Sequence, residues 1–353
     1  MKFSIIVIIP FLFVYFSLNA QDTISQYQPV IHKLKGPYYS TPIRTNTNRL
    51  VIASHNRDFH IFDNFGNKIN TFRTKGWIHA TPAQLSDKSI AIGCYDGYFY
   101  FFDENGLLQK RLKAGGFIFT KPVELGDEII YGANGGKVIF LNTQDGTRTK
   151  LKVKKLVHGS PLLTKDSLLI IGSNSGWIYY INQNKEIMHR FKTKGWIMHS
   201  RPLEMLDGNI AVGSYDKALY VLNKEAELQW KFNTNGAIHG SPIQTPDSVI
   251  VIGSMDGNIY MLSPHGELIH KIETGKKVIS SPNMLNDSIV VIGSYDKHLY
   301  FFNTKGKVLG KYNMGGKIFS SPVTLHCGTV FSCTTNGRLI FLTPKILQKF
   351  FSD

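Results

Sequence analysis

A proline recurs along this chain at an almost constant interval: Pro42, Pro82, Pro122, Pro161, Pro202, Pro242, Pro282 and Pro322, with gaps of 40, 40, 39, 41, 40, 40 and 40 residues. Self-similarity at such a period means an array of structural units, each unable to bury its apolar faces without neighbours. The seventh unit shows what is repeated. Val278-Ile279-Ser280-Ser281-Pro282 leads to a turn at Leu285-Asn286-Asp287, then to the runs Ser288–Asp296, Leu299–Phe302 and Val308–Tyr312, with Gly306 before the last. Four short β-rich runs separated by turn residues, without helical periodicity, predict a four-stranded meander.

Eight such units, starting near residues 36, 76, 116, 155, 195, 236, 276 and 316, predict an all-β fold: an eight-bladed β-propeller of four-stranded antiparallel blades, one domain over 21–353. Residues 29–35 (PVIHKLK) resemble the fourth strand of other repeats, such as Ile187–Lys194, and are expected to pair into the last blade and close the ring. Ile346–Phe351 competes for the same edge, and the spacing leaves open which strand lies outermost.

The repeated positions have local reasons. Small residues before the proline suit an innermost strand crowded towards an axis, and the missing proline N–H suits an edge facing a channel. The second strand ends in Gly93, Gly132, Gly172, Gly213, Gly253 and Gly293, followed by Asp96, Asp216, Asp256 and Asp296, or by Asn56 and Asn336. Asp-Gly and Asn-Gly pairs are hairpin chemistry. Tyr100, Tyr179, Tyr220, Tyr260 and Tyr300, seven residues after that glycine, read as packing between blades.

Outside the array, Lys2, the apolar run Ile5–Phe16 and Leu18-Asn19-Ala20 before Gln21-Asp22 have the layout of a cleavable signal peptide over 1–20, the alternative being an uncleaved N-terminal anchor. No later stretch is apolar for long enough to span a bilayer. The expected product is exported, periplasmic or extracellular. Three cysteines, Cys94, Cys327 and Cys333, make no disulfide framework and are expected to be free and mostly buried. The absence of a cysteine just after the signal region argues against a bacterial lipid anchor. The net charge is +15, or +14 once Lys2 is removed, which favours anionic partners: acidic polysaccharide, lipid headgroups or an acidic protein face. Nucleic acid is not expected for an exported chain.

A repeat of small-Ser-Pro, a strand ending Gly-Ser-x-Asp-Gly, Leu-Tyr, a turn glycine and a fourth strand resembles the PQQ-like propeller repeat, over Gly36 to about Leu342. Eight blades after a signal peptide are most similar to the BamB-type proteins of the bacterial envelope, a resemblance that implies a scaffold for outer-membrane protein assembly. The chain departs from that family in lacking the lipoprotein cysteine and most fourth-strand tryptophans; only Trp230 occupies that place. The same repeat builds quinoprotein dehydrogenases, which implies a quinone and calcium on the axis. Those enzymes are longer and many use adjacent cysteines, of which there are none here. GxSxG, HExxH and phosphate-loop patterns are also missing. Catalysis, PQQ and calcium are therefore not expected.

Candidate site residues are departures from the repeat. The turns between first and second strands carry Asp87, Asp127, Asp166, Asp207, Asp247 and Asp287, either turn formers or an acidic face. The inter-blade segments carry Arg73, Lys75, Arg111, Lys113, Lys152, Lys154, Lys155, Lys192, Lys194, Lys276, Lys277 and Lys317, a basic rim suited to docking an anionic partner. Within it, Thr74–Ile78 and Thr193–Ile197 are the same pentapeptide, Thr-Lys-Gly-Trp-Ile. Trp77 and Trp196 could stack a sugar or anchor a peptide, or could cap the blade core, as Phe117 at the equivalent place suggests. His79, His158, His199 and His239 lie three residues before their prolines. Strands that splay around a channel would keep them too far apart for a metal, so they read as buried, hydrogen-bonded packing residues rather than ligands. Lys121 and Arg201 replace the usual Ser or Thr just before the proline, where a channel-lining cation needs water, a carboxylate or a ligand. The function expected is a non-catalytic binding scaffold for a protein partner in the cell envelope or, alternatively, for a carbohydrate or polyanion.

Overall fold

The computed structural model describes residues 28–351, so the expected signal peptide lies outside the described residues. Eight four-stranded antiparallel sheets follow one another around a central axis. The first consists of Ile43–Arg44, Leu50–Ala53, Asp58–Phe62 and Lys68–Arg73, paired in sequence order. The first strand is short in every blade, and the second and third are almost wholly buried. The fourth alternates exposed and half-buried residues at the perimeter.

The ring closes with a strand from the far end of the chain. Val30–Lys33 pairs antiparallel with Arg338–Leu342 and forms the outermost strand of the last blade, Val30 opposite Phe341. His32 ties this strand to the first blade by a 2.7 Å hydrogen bond to the Gly66 carbonyl. The competing segment takes no edge at all. Pro344–Phe351 is a helix whose Ile346 and Leu347 are buried, while Phe350 and Phe351 set their rings 5.6 Å from Tyr312 and Phe301 of the seventh blade.

The core lies between blades. Val51, Phe59 and Ile61 of the first blade pack on Ile78, Ile90, Ile92 and Phe102 of the second, and Leu50, Ile52 and Phe62 pack on Phe331 and Phe341 of the last. This contact explains the second-strand glycine. A Cβ on Gly172 would lie 2.2 Å from Ile197 of the next blade, and one on Gly293 would lie 2.3 Å from Ile318. Only glycine lets the incoming Ile seat itself, so the residue is required by close approach.

The aspartate after that glycine also has a structural task. Asp296 accepts hydrogen bonds from Tyr300, from the Gly275 N–H of the preceding linker (3.0 Å) and from the His298 N–H (3.0 Å). Asp96, Asp216 and Asp256 accept from Tyr100, Tyr220 and Tyr260 at 2.6, 2.7 and 2.9 Å. Left-handed backbone falls one residue later, at Gly97, Lys217, Gly257 and Lys297. The tyrosines are thus both packing residues and latches. Burial raises the Tyr100 and Tyr260 hydroxyls to about 12, the neighbouring carboxylate adding to it. Burial disfavours the charged form of Asp256 and Asp296, but their hydrogen bonds outweigh it and hold both below the usual carboxylate value.

Candidate functional site

An antiparallel meander puts its turns at two ends. Turns between first and second and between third and fourth strands share one end: Arg49 of one such turn donates to Asn105 of the next blade at 2.7 Å. Turns between second and third strands share the other end with the inter-blade linkers: the Tyr95 N–H donates to Trp77 O at 2.9 Å and Thr74 N–H to Arg57 O at 2.9 Å. We call these the hairpin face and the linker face.

On the linker face Lys75, Lys154, Lys155, Lys194, Lys276, Lys277 and Lys317 are all exposed. The other five cations expected in the linkers sit instead on the ends of fourth strands, as Arg73 does in Lys68–Arg73 and Lys113 in Leu108–Lys113. Some of these charges are used locally: Arg73 pairs with Asp58 at 3.0 Å, and Arg111 lies 5.0 Å from the Tyr98 ring. Three cations not singled out in the sequence join the face. Arg57, Lys217 and Lys297 occupy the left-handed turn position, with φ of 71°, 72° and 79°, where other blades have Gly97, Gly257 and Gly337. Asp216 and Asp296, beside Lys217 and Lys297, are engaged in the latches, and Asp58, beside Arg57, pairs with Arg73, which leaves cations to dominate the exposed charge. On the hairpin face, Asp87 and Asp207 accept the N–H two residues on, at 2.9 and 3.0 Å, and Asp247 accepts the Thr245 hydroxyl at 2.6 Å. Those three are turn formers.

The tryptophans of the repeated pentapeptides do not cap the core. Ile78 and Ile197, the next residues, are fully buried in that role, and Trp77 and Trp196 stand 57% and 52% exposed. Phe117 is likewise 50% exposed. Trp77 stacks on His55 with centroids 5.8 Å apart and planes 15° apart, and Phe117 stacks on Tyr95 at 5.7 Å and 19°. With Arg57 and Lys75 these rings line a groove of about 380 Å³. Among the described residues, Tyr215 is the one ring beside Trp196, 6.4 Å away. His55 and Tyr95 come from second-to-third-strand turns, whose sequence gives no hint that they will stand beside the linkers.

Below this face the axis is closed by rings. The splay of the inner strands does not keep the histidines apart, as their spacing suggested: centroids lie 5.2 Å apart for His79 and His199, 5.5 Å for His158 and His199, and 4.6 Å for His199 and His239. Tyr39, Phe119 and Phe319 complete the plug, around a chamber of about 60 Å³. His79 bonds His55 (2.7 Å), His158 faces the Asn174 amide (3.3 Å) and His239 the Ile279 carbonyl (3.2 Å), whereas the His199 ring has no such partner among the described residues. His199 also adopts a φ of 62°. Burial pushes His79 down to about 3 and His158 and His239 to about 4, so these rings are neutral at pH 7.

Beyond the plug, Lys121 and Arg201 lie on the wall of a cavity of about 820 Å³, together with the hydroxyls Thr41, Thr81, Ser160, Ser241, Ser281 and Ser321. Its lining carries loop residues of the hairpin face, including Asp287 and His326. Calcium needs six to eight oxygen ligands, carboxylates prominent among them. The axial walls offer rings, hydroxyls and three cations, Arg44, Lys121 and Arg201, with Asp287 as their one carboxylate, and none of the three cysteines lines them. These residues do not fit a quinone–calcium centre.

The architecture defines the class: this is an eight-bladed β-propeller, with no helix among the described residues long and apolar enough to cross a membrane. Residues 205–283 match the family model described as the lambda-carrageenase β-propeller domain. Among solved structures, the chain is similar to BamB from Moraxella catarrhalis, with a TM-score of 0.71 and 14% identity over 88% of this chain and 97% of that one. It is similar to the computationally designed Ika8 protein to the same extent: TM-score 0.73, 14% identity, 88% and 98% covered. Among curated protein sequences none matches.

Proposed function

We propose that the protein is an exported, non-catalytic binding scaffold of the cell envelope, which docks an anionic partner on its linker face. The observation that carries this reading is the platform of half-exposed rings, Trp77 and Phe117, in a groove beside Lys75 and Arg57. Exposed tryptophan beside a cation is characteristic of interface hot spots. The likeness to BamB supports a protein partner as the occupant, and the exposed cations of the linker face suit one with an acidic surface.

A second reading, an acidic polysaccharide, is favoured by a different observation. Rings presented face-on beside cations suit stacking of sugars and pairing with their acidic groups, and the family matched at 205–283 is a carrageenase propeller domain.

The test compares the native protein with a Lys75→Ala/Trp77→Ala variant, in capture from envelope extract and on an array of acidic glycans at low salt. Loss of a reproducible protein partner in the variant supports the first reading, and loss of glycan signal supports the second. A hot-spot contribution of about 2 kcal/mol corresponds to roughly 30-fold weaker binding. Binding that the variant retains in both assays, or no binding by the native protein in either, overturns the proposal.

A further inference from the structure

The residue before the repeated proline has a structural use of its own. Its hydroxyl accepts the backbone N–H of the same position in the preceding blade: Thr41 donates to Thr81 (3.2 Å), Lys121 to Ser160 (3.0 Å), Arg201 to Ser241 (2.8 Å), Ser241 to Ser281 (2.8 Å) and Ser281 to Ser321 (2.9 Å). The result is a belt of hydroxyls around the axis. Lys121 and Arg201 interrupt it, because neither offers an acceptor to the blade before. In exchange they place two cations on the wall of one cavity.

Those cations have no carboxylate within ion-pair distance among the described residues. Arg201, on the cavity wall, donates through Nε to the Pro161 carbonyl at 3.2 Å, and its two terminal nitrogens have no protein acceptor among the described residues. For the Lys121 ammonium there is no protein acceptor among the described residues. Arg201 is solvent-accessible although protein surrounds it, as a side chain in a water-filled funnel is. Burial and the charge of Arg201 together pull Lys121 down to about 8. Two like charges crowded on a concave wall repel each other, and a bound anion would relieve both.

We propose that this funnel binds a small molecule through an oxyanion group, a carboxylate, sulfate or phosphate, held between Lys121 and Arg201. Arginine's planar fork and the lysine point charge are the usual recognition pair for such groups. The belt hydroxyls and the Asn283 amide can bond the remainder of the ligand. At about 820 Å³ the cavity has the volume of a small-molecule site, larger than an inorganic ion needs. Arg44, the third cation of the lining, already donates to the Thr324 carbonyl at 3.0 Å, and Asp287 is the one carboxylate there, so Lys121 and Arg201 are the pair left for the anion. The site lies across the aromatic plug from the linker face and does not depend on the docking proposed there.

The experiment measures the melting temperature of the full protein in sodium sulfate, sodium phosphate or sodium glucuronate, against sodium chloride at matched ionic strength. Native protein should melt higher as the logarithm of oxyanion concentration rises, with chloride inert. Lys121→Thr/Arg201→Ser restores the repeat's own hydroxyls; it should fold at least as stably and keep only the small, non-saturating rise that excluded salts such as sulfate give any folded protein. Each single variant should bind at least tenfold more weakly. Should the double variant fail to fold, Lys121→Met, which keeps most of the side chain's apolar length without its charge, takes its place, with an oxyanion response at least tenfold weaker than in the native protein. Glucuronate acting at lower concentration than sulfate indicates a sugar acid, and the reverse order an inorganic ion. Trp77→Ala should leave the response unchanged. An equal response in native and double-variant protein, or none in the native, overturns the proposal.

Discussion

The histidines of the axial plug make stability depend on acidity in a defined window. In the unfolded chain a histidine titrates near 6.5, whereas in the plug burial holds His158 and His239 near 4. The unfolded state therefore takes up protons first. The full stability is present above about pH 6.5 and is lost as pH falls from there towards 4. At pH 5 each fully enclosed imidazole with that shift costs about 2 kcal/mol, so the pair costs about 3–4 kcal/mol. The repeat supplies a control, since Phe119 and Phe319 occupy the same position in other blades. The perturbation is thus His158→Phe/His239→Phe. For a domain of this size the unfolding entropy is about 0.7 kcal/mol/K, so the fall in Tm between pH 7.5 and 5 should be smaller in the variant by about 5 °C. Differential scanning calorimetry at the two pH values checks it, and comparing slopes cancels any packing change common to both. The aspartate latches do not confuse the reading. Asp256 and Asp296 titrate below the ordinary carboxylate value, and their contribution is lost only below about pH 4. An equal fall in Tm for native and variant protein would refute the reasoning.

Two tyrosines separate latch from packing. Tyr300→Phe deprives Asp296 of a donor and should cost about 1–2 kcal/mol, whereas Tyr180→Phe removes a buried hydroxyl with no partner and should be neutral or stabilising; urea titration giving the opposite order counts against the latch. Burial raises the Cys94 and Cys333 thiols to about 11 and 12 while Cys327 is exposed, so a thiol reagent at pH 8 should modify one cysteine in the native protein and three in denaturant. More than one fast native thiol would contradict the burial, and fewer than three in denaturant would indicate a disulfide.

The blade pattern is legible because its determinants are local: the hairpin turn, the glycine before it and the alternation of the strands all fall within one 40-residue unit. Ring closure is legible for the same reason, since Val30–Lys33 carries the fourth-strand pattern of its neighbours. The apolar run at 346–351 is too short to distinguish a strand edge from a helix, and contact with Tyr312 and Phe301 decides it. Side-chain direction is where sequence reading stops. Trp77 and Ile78 are adjacent apolar residues at a strand entrance, and spacing cannot tell which enters the core. The four histidines could be placed on inner strands, but the width of the axial passage depends on all eight blades together, and that width brings the rings into contact. Platform partners such as His55 and Tyr95 belong to the turns between second and third strands, which only radial stacking carries to the linkers.

Five departures from the repeat share an energetic logic. Arg57, Lys217 and Lys297 put a long side chain where glycine is the unstrained choice, at about 1–2 kcal/mol each. Lys121 and Arg201 give up hydroxyls that would complete a hydrogen-bonded belt, and accept desolvation and mutual repulsion as well. None of the five ends in a hydrophobic cluster between blades, where such a loss could be recovered by packing. All five place positive charge, three on the linker face and two in the axial funnel, with the aromatic plug between. A wheel built only for stability would carry glycine and serine at these places. The two groups therefore point to separate anionic occupants, and the substitutions that restore the repeat at one end should leave binding at the other intact.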